Sequence, residues 1–409
     1  MYLDRLSKLF RTDLRYIFKG SFLMAGSQAV TSIIAFGAAV AFANLIQKDD
    51  FGTYQYILSV AELLAVFSLT GLTASAIRSI AKGYEGTLAY AFKASLRWSI
   101  GLVLLGVAIG LYYFFQNNLV LALGVIVASL GTPVINSSKL YVSHLNGKRL
   151  FLKSSITTIV SYLLPTIAIV AVLLLTKNVL WIICTYFAAH GLVNFGIYLW
   201  VKKDAKNIET EHETVSFAKH LSFQNVITNI AAQLDKILLF QFTGAVALAE
   251  YMFAISVPRQ VQHLFRGARS IVLPKVSAQS FSVLRKTLPR KLLLLYAIVI
   301  PILVGYVFLA PYVFEFFFPQ YINSIGYSQI YALLFLIMPF NILNDVFIGH
   351  AKKRILYKIS IFASVYKIIA TVVFVPLYGI WGVLLSILST QSLRALIVGY
   401  FFFTEKVED

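Results

Sequence analysis

The sequence predicts an all-α polytopic membrane protein of about twelve transmembrane helices, arranged as two pseudo-symmetric six-helix bundles around a central cavity. Both termini are predicted to lie in the cytoplasm. Three observations support this fold class: an apolar composition, an alternating distribution of basic residues, and a second half that repeats features of the first.

The composition is that of a membrane protein. Of the 409 residues, 59% are hydrophobic and 13% are charged, and the mean hydropathy is +0.80. A bilayer-crossing helix needs roughly 20 apolar residues, and about twelve runs meet that length. The predicted spans are residues 20–46, 54–77, 97–116, 119–143, 154–175, 178–201, 221–243, 247–273, 292–318, 326–350, 356–376 and 379–403.

The basic residues indicate the topology. Of the 35 Lys and Arg residues, 29 fall in the N-terminal arm, in alternate connections between spans, or in the tail. The other connections hold only Lys48 and Lys177. Because cytoplasmic loops are enriched in Lys and Arg, this asymmetry places both termini inside. It also accounts for most of the net charge of +18 without a nucleic-acid partner.

Two stretches of the first half recur in the second. TYQYILSVAE at 53–62 aligns with EYMFAISVPR at 250–259, and GKRLFLK at 147–153 aligns with KKRILYK at 352–358. Halves of six spans share one orientation, which predicts parallel repeats about an axis along the membrane normal. The predicted domains are a cytoplasmic amphipathic arm (1–19), a six-helix bundle (20–203), a cytoplasmic linker (204–219), a second six-helix bundle (220–403) and a cytoplasmic tail (404–409).

Charged residues inside the predicted spans are candidates for a functional site. Each costs about 2.5–3.5 kcal/mol at the centre of a span, so such groups face a protein interior or a wet cavity. Glu62 and Arg259 occupy equivalent repeat positions. We predict that they face one cavity, where they pair with each other or locally within each half. The set predicted for cavity charge pairing or ion coupling is Glu62, Asp235, Lys367, Arg394 and Asp345.

A stripe of basic residues follows the eighth predicted span. Arg259 and Arg266 are seven residues apart and share a helical face, and Arg269 follows three residues later. Arginine binds phosphate oxygens in a bidentate manner, so the stripe suits phosphate or pyrophosphate. Topological anchoring is the alternative for Arg266 and Arg269. The predicted substrate-binding set is Arg259, Arg266, Arg269, Lys275, Lys139 and Lys236.

The sequence favours a carrier over an enzyme. It contains no D-x-D pair and no glycine-rich loop with P-loop spacing. One cysteine, Cys184, and six histidines without metal-ligand spacing predict no metal site. No cofactor is expected, and Na⁺, H⁺ and the membrane potential stay open as driving forces.

Several stretches resemble Wzx-type polysaccharide-export flippases of the multidrug/oligosaccharidyl-lipid/polysaccharide exporter superfamily. FANLIQKDDFGTYQYILSVAELLAVFSLTGLTASAIRSIA resembles the end of their first span and their second span. QLDKILLFQFTGAVALAEYMFAISV and ARSIVLPKVSA resemble segments of their second half. The resemblance covers essentially the whole chain and implies two six-helix bundles around a cationic cavity. The lipid II flippases of the superfamily typically carry two extra helices, which the twelve predicted spans lack.

The resemblance implies movement of undecaprenyl-diphosphate-linked oligosaccharide repeat units from the inner to the outer leaflet of a prokaryotic cytoplasmic membrane. The product pathway would be O-antigen or another cell-surface polysaccharide. The implied partners are this lipid-linked oligosaccharide, membrane lipid, and a polysaccharide polymerase or export machinery. An ion-coupled multidrug or cation antiporter of the same superfamily is the alternative, and a membrane enzyme such as a polysaccharide polymerase is less favoured.

Overall fold

The computed structural model describes residues 14–211, 213–277, 279–350 and 352–405, with side chains described except at 14–19, 21, 224 and 263–277. Every regular element in these ranges is helical, so the predicted all-α class is confirmed. Residues 1–13 of the predicted arm and the end of the predicted tail lie outside the described residues.

The first half of the described chain forms nine α-helices. Asn118 and Asn178 each accept a hydrogen bond from a first-turn N–H and thereby begin a helix in a predicted outer turn. The helices are α1 (Leu14–Leu45), α2 (Lys48–Leu64), α3 (Leu72–Ala81), α4 (Thr87–Trp98), α5 (Ile100–Phe115), α6 (Leu119–Ser138), α7 (Tyr141–Gly147), α8 (Phe151–Leu175) and α9 (Val179–Lys202).

The second half forms six α-helices. They are α10 (Glu213–Thr243), α11 (Ala245–Ser277), α12 (Phe281–Phe317), α13 (Ile325–Ala332), α14 (Asn341–Gly349) and α15 (Lys353–Thr404). Four of them are long and two, α13 and α14, are short. Short 3₁₀ segments at Pro319–Ser324 and Leu333–Phe340 flank α13. Within α15, Gly379 has a φ of 55°, a conformation that glycine adopts readily and other residues rarely do. The predicted eleventh and twelfth spans meet at this glycine.

The predicted second span, 54–77, is bent rather than continuous. After α2 the chain tightens into a 3₁₀ turn at Ala65–Ser68, and the helix axis changes by 48° before α3. Leu69 has a φ of 53°, which ends the first helix. The N–H of Gly71 then donates to the Ser222 hydroxyl at 2.9 Å, so a distant side chain satisfies a backbone group at the break.

The number of spans stays a prediction. Among the described residues, eight helices are long and apolar enough to cross a membrane, or nine if the bent pair of α2 and α3 counts as one span. In this number α15 counts once, although Gly379 divides it. Helices α10 and α11 are also long but are not included, because they contain charged and amide side chains such as Asp235, Lys236 and Arg259.

The chain divides into two compact units. The first consists of the chain up to Ala38 together with Ile57–Val226, and the second consists of Ala39–Tyr56 together with the chain from Ile227 onward. The end of α1 and the first half of α2 therefore belong with the second unit. The domain boundaries given by the sequence stay a prediction.

The Phe-Gly pair that opens α2 has a packing role in the second unit. The ring of Phe51 lies 4.7 Å from that of Phe253, measured between centroids. Gly52 lies against the backbone of Ala245 so closely that a Cβ atom would overlap its carbonyl group. Glycine is therefore required where α2 approaches the start of α11.

Each unit also has a buried apolar core of its own. In the first unit, α3, α4, α7 and α9 contribute Leu72, Leu88, Leu145 and Tyr198 among others. In the second unit, α12, α14 and α15 enclose a core that includes Phe281, Leu284, Leu343, Phe347 and Phe402. Dense packing of this kind fixes the helices that position the polar groups described next.

Candidate functional site

A polar cavity of about 590 Å³ lies within the second unit. Helices α11, α13, α14 and α15 and the 3₁₀ segment before α14 line it. Its lining combines two guanidinium groups, three amides and a phenol with four apolar side chains, and it contains no carboxylate among the described residues. The lining residues are Arg259, Gln262, Tyr331, Leu334, Ile337, Met338, Asn341, Ile387, Gln391 and Arg394.

Two helices each contribute an arginine and a glutamine to the cavity. Arg259 and Gln262 are three residues apart on α11, and Gln391 and Arg394 are three apart on α15. Residues at this spacing share one side of a helix. The Nε of Arg259 donates a long hydrogen bond of 3.5 Å to the Tyr331 hydroxyl. This contact orients the guanidinium group, whose other N–H donors have no hydrogen-bond partner among the described residues and can bind a ligand.

The lining suits an anion that also carries hydroxyl groups. Guanidinium groups form paired hydrogen bonds with phosphate oxygens, and amides both donate to and accept from hydroxyls. The buried Nε2 of Gln262 has no hydrogen-bond partner among the described residues, so a bound molecule can satisfy this donor. The cavity volume lies within the range of small-molecule sites.

The cavity includes four polar residues that the sequence analysis missed: Gln262, Tyr331, Asn341 and Gln391. That analysis considered only charged groups inside the spans. A signal was present, because each intramembrane arginine of the cavity has a glutamine three residues away on the same helix.

A buried ion pair lies elsewhere in the second unit. Lys367 Nζ lies 3.3 Å from Asp235 Oδ2, and the Tyr251 hydroxyl donates to the same oxygen at 3.3 Å. Asp235 is only 2% exposed. Removing one partner would leave the other charge buried and uncompensated. The folded protein is therefore more stable with both residues of the pair than with either one alone.

Two further charges predicted for the second unit, Lys236 and Asp345, are not among the described residues that line the cavity. Lys236 Nζ donates to Gln233 Oε1 at 2.6 Å, and Asp345 is buried within α14. Arg266, Arg269 and Lys275 lie in α11, but their side chains are outside those described. Arg259 is the member of the basic stripe whose described side chain lines the cavity.

Glu62 and Lys139 interact within the first unit. Each is exposed, and the two have a favourable charge interaction. His190 also lies within electrostatic range of Lys139, and its ring centroid is 4.5 Å from that of Tyr186. The predicted pairing of Glu62 with Arg259 would join residues of different units and stays a prediction.

The connection after α9 is attached to the first unit by ion pairs. Two pairs reach it, Lys82–Glu211 at 2.5 Å and Lys153–Asp204 at 2.7 Å, and a third pair, Lys148–Glu85 at 2.9 Å, joins two loops of the first unit beside it. The backbone supports them, since the N–H of Lys206 donates to Glu85 at 2.6 Å and the Asn207 amide donates to the carbonyl of Gly83 at 2.9 Å. We call residues 204–211 the docked linker.

Ion pairing lowers the pKa of all three carboxyl groups. Partial burial works to raise the pKa of Glu85, but hydrogen bonds from Lys148 and from the Lys206 N–H outweigh it. The hydrogen bond from Lys153 lowers the pKa of Asp204, and hydrogen bonds from Lys82 and Ser79 lower that of Glu211. The carboxylates are therefore charged at neutral pH and hold the docked linker through charge.

The comparisons with known proteins agree with this fold. A sequence model of a family described as "Polysaccharide biosynthesis protein" matches residues 17–278. The chain belongs to this family. No curated protein sequence matches the chain.

Solved structures share the fold along nearly the whole chain. An inward-facing multidrug-resistance MATE transporter of the MOP superfamily matches with a TM-score of 0.67 and 13% identity, covering 94% of this chain and 100% of that one. The lipid II flippase MurJ, in an inward closed conformation, gives 0.66 and 15% identity, covering 94% and 88%. A MOP superfamily transporter from Pyrococcus furiosus with a binding pocket of reverse polarity gives 0.66 and 13%, covering 94% and 95%.

The family and the fold identify a multi-pass membrane protein of the transporter and flippase type. The predicted membership of the exporter superfamily is confirmed. The three solved proteins named above, two transporters and a flippase, share this fold.

Proposed function

We propose that this protein is a flippase for polyprenyl-diphosphate-linked oligosaccharides in cell-surface polysaccharide biosynthesis. It moves the repeat unit from the inner to the outer leaflet of a prokaryotic cytoplasmic membrane by alternating access, with O-antigen or a related polysaccharide as the product. The observation that carries the proposal is the cavity lined by Arg259 and Arg394 without a carboxylate among its described lining residues.

The substrate class follows from the chemistry of the lining. A diphosphate presents oxygens that two guanidinium groups bind in a bidentate manner. The sugars present hydroxyls to Gln262, Asn341 and Gln391, which both donate and accept hydrogen bonds. The flippase MurJ, which shares the fold, is described as acting on lipid II. A lipid-linked substrate is therefore consistent with the fold.

Export of organic cations is the competing proposal, since MATE transporters share the fold. A cation would favour acidic groups in the cavity, and none lines it among the described residues. Of the buried acids of the second unit, Asp235 forms an ion pair with Lys367, and Asp345 lies within α14 and does not line the cavity. We therefore propose an anionic substrate, with Na⁺, H⁺ or the membrane potential as the driving force.

Reconstitution tests the proposal. Proteoliposomes would contain a polyprenyl-diphosphate-linked oligosaccharide only in the inner leaflet, and an external glycosidase would report its appearance outside, with and without Na⁺ and H⁺ gradients. Protein-dependent cleavage is the expected result. No cleavage with several glycans, together with gradient-driven efflux of a cationic dye, would contradict it and favour an antiporter.

A further inference from the structure

The two segments of α15 enclose a second cavity that differs in chemistry from the polar one. It measures about 870 Å³ and is an open groove lined by residues 357–365 on one side and 396–401 on the other. The chain therefore reverses between them, at Gly379. Apart from two tyrosine hydroxyls and one lysine, the lining is apolar. The lining residues are Tyr357, Lys358, Ile361, Phe362, Val365, Leu396, Ile397, Tyr400 and Phe401.

From this groove we infer a docking site for the polyprenyl chain of the lipid-linked substrate, with the diphosphate beside Lys358 before it enters the polar cavity. The inference rests on the proposed function and identifies which surface of the protein receives the lipid part of the substrate. Two features of the groove support it.

The first feature is charge. Lys358 is exposed at the edge of an otherwise apolar groove and has no ion-pair partner among the described residues. It belongs to the basic stretch 352–358, which the topology places at the inner membrane surface. A lysine at that level is positioned to bind the diphosphate of a lipid in the inner leaflet, while the groove receives its chain.

The second feature is continuity with the polar cavity. Ile387, Gln391 and Arg394 line the polar cavity, and the groove is lined by four residues of the same helical segment: Leu396, Ile397, Tyr400 and Phe401. At about 100° per residue, the mean directions of the two sets lie on adjacent flanks of the helix, roughly 115° apart. One helix thus presents a cationic flank to a diphosphate and an apolar flank to the chain attached to it.

The experiment uses photo-crosslinking in proteoliposomes of the full chain. Two probes are compared: a polyprenyl diphosphate with a benzophenone on its chain, and a phosphatidylglycerol with the same group on one acyl chain. Mass spectrometry locates the labelled peptides. We expect the polyprenyl probe to label 357–365 and 396–401 and unlabelled polyprenyl diphosphate to displace it.

Two substitutions test the groove itself. Ile361→Trp places a large ring in the groove, and we expect it to reduce polyprenyl labelling about tenfold. Ile369→Trp is the matched control, because Ile369 is on the same helix and is 58% exposed but does not line the groove. It should leave the labelling unchanged. Equal loss in both variants would contradict the inference.

The same vesicles distinguish failure of the inference from failure of the proposed function. Equal labelling by both probes, without displacement by polyprenyl diphosphate, would mean that the groove holds ordinary bilayer lipid. If such vesicles still flip the lipid-linked oligosaccharide, the groove inference is wrong and the proposed function stands. Displaceable polyprenyl labelling without flipping would support the groove and contradict the proposed function.

Discussion

Lys153 and Lys358 occupy equivalent positions in the repeated basic stretches, but their surroundings differ. Lys153 lies 2.7 Å from Asp204 in an ion pair, and its ammonium lies 5.4 Å from the centroid of the Trp200 ring. Lys358 lies at the edge of the apolar groove and has no ion-pair partner among the described residues. The same residue type in the same repeat position thus has a structural role in one unit and is available to a ligand in the other.

The difference arises from where acidic residues follow in the sequence. Asp204 and Glu211 lie in the connection that follows α9, and their ion pairs attach the docked linker to the basic loops of the first unit. In the second unit, the described chain after α15 offers Glu405, which pairs with Lys352 at 3.3 Å instead. A lysine that the topology places at the inner surface therefore gains a specific role from its local partners.

The largest expected effect concerns the paired charges of the second unit. Asp235→Asn removes the partner of Lys367 and should destabilise the protein by about 3–5 kcal/mol, because a buried ammonium is left uncompensated. The thermal unfolding temperature of the purified protein in detergent measures this. Asp235→Asn combined with Lys367→Met should recover most of the loss. An unchanged unfolding temperature in the single variant would show that the pair is not structural.

The equivalent lysines provide a direct test of the comparison. Lys358→Gln should weaken binding of polyprenyl diphosphate roughly tenfold, since a charge-assisted hydrogen bond is lost, and leave the docked linker unchanged. Lys153→Gln should release the docked linker and leave lipid binding unchanged. Ligand titration in detergent and hydrogen exchange of residues 204–211 report the two effects. If both variants behave alike, the two lysines do not differ in role.

The smallest expected effect is the pH dependence of the docked linker. The folded-state pKa values of Glu85, Asp204 and Glu211 are lowered, so the stabilisation is complete above their ordinary values of 4.5, 3.8 and 4.5. It is lost as the pH falls through the lowered values. The docked linker should therefore be equally immobile from neutral pH down to about pH 5 and become mobile only below about pH 4.

A spin label at Ile208, which is 94% exposed, measures this mobility in an Ile208→Cys variant that also carries Cys184→Ser. A label in a Leu175→Cys variant at the opposite end of the first unit is the control, and its mobility should not change with pH. High salt should also mobilise the Ile208 label, because exposed ion pairs are screened. A label that is mobile at neutral pH would contradict the docked arrangement.

Much of the fold follows from the sequence, because apolar runs of membrane length require helices. The bend after α2 does not, since Ala65, Phe67 and Leu69 continue an apolar run. It depends on the left-handed backbone of Leu69 and on a hydrogen bond from Gly71 to Ser222, 151 residues away. Contacts of that separation leave no local pattern in the sequence.

The candidate site could be predicted only in part. Arg259 and Arg394 were evident because a charge in an apolar span needs a polar environment. Whether Lys367 would face a cavity or pack against a partner depended on Asp235, 132 residues away in the sequence. The sequence likewise predicted the docked linker only as a polar connection. Its acidic residues form ion pairs with lysines in other loops, and no local pattern in the sequence indicates those pairs.

The most direct test of the central claim is the flipping assay applied to the cavity arginines. Wild-type protein, an Arg259→Gln/Arg394→Gln variant and a Lys177→Gln control would be reconstituted with inner-leaflet polyprenyl-diphosphate-linked oligosaccharide. Each lost charged hydrogen bond costs about 1.5–3 kcal/mol, so the double variant should flip at least roughly tenfold more slowly, while wild type and control agree. A folded double variant that flips at the wild-type rate would contradict a role for this cavity in binding the diphosphate.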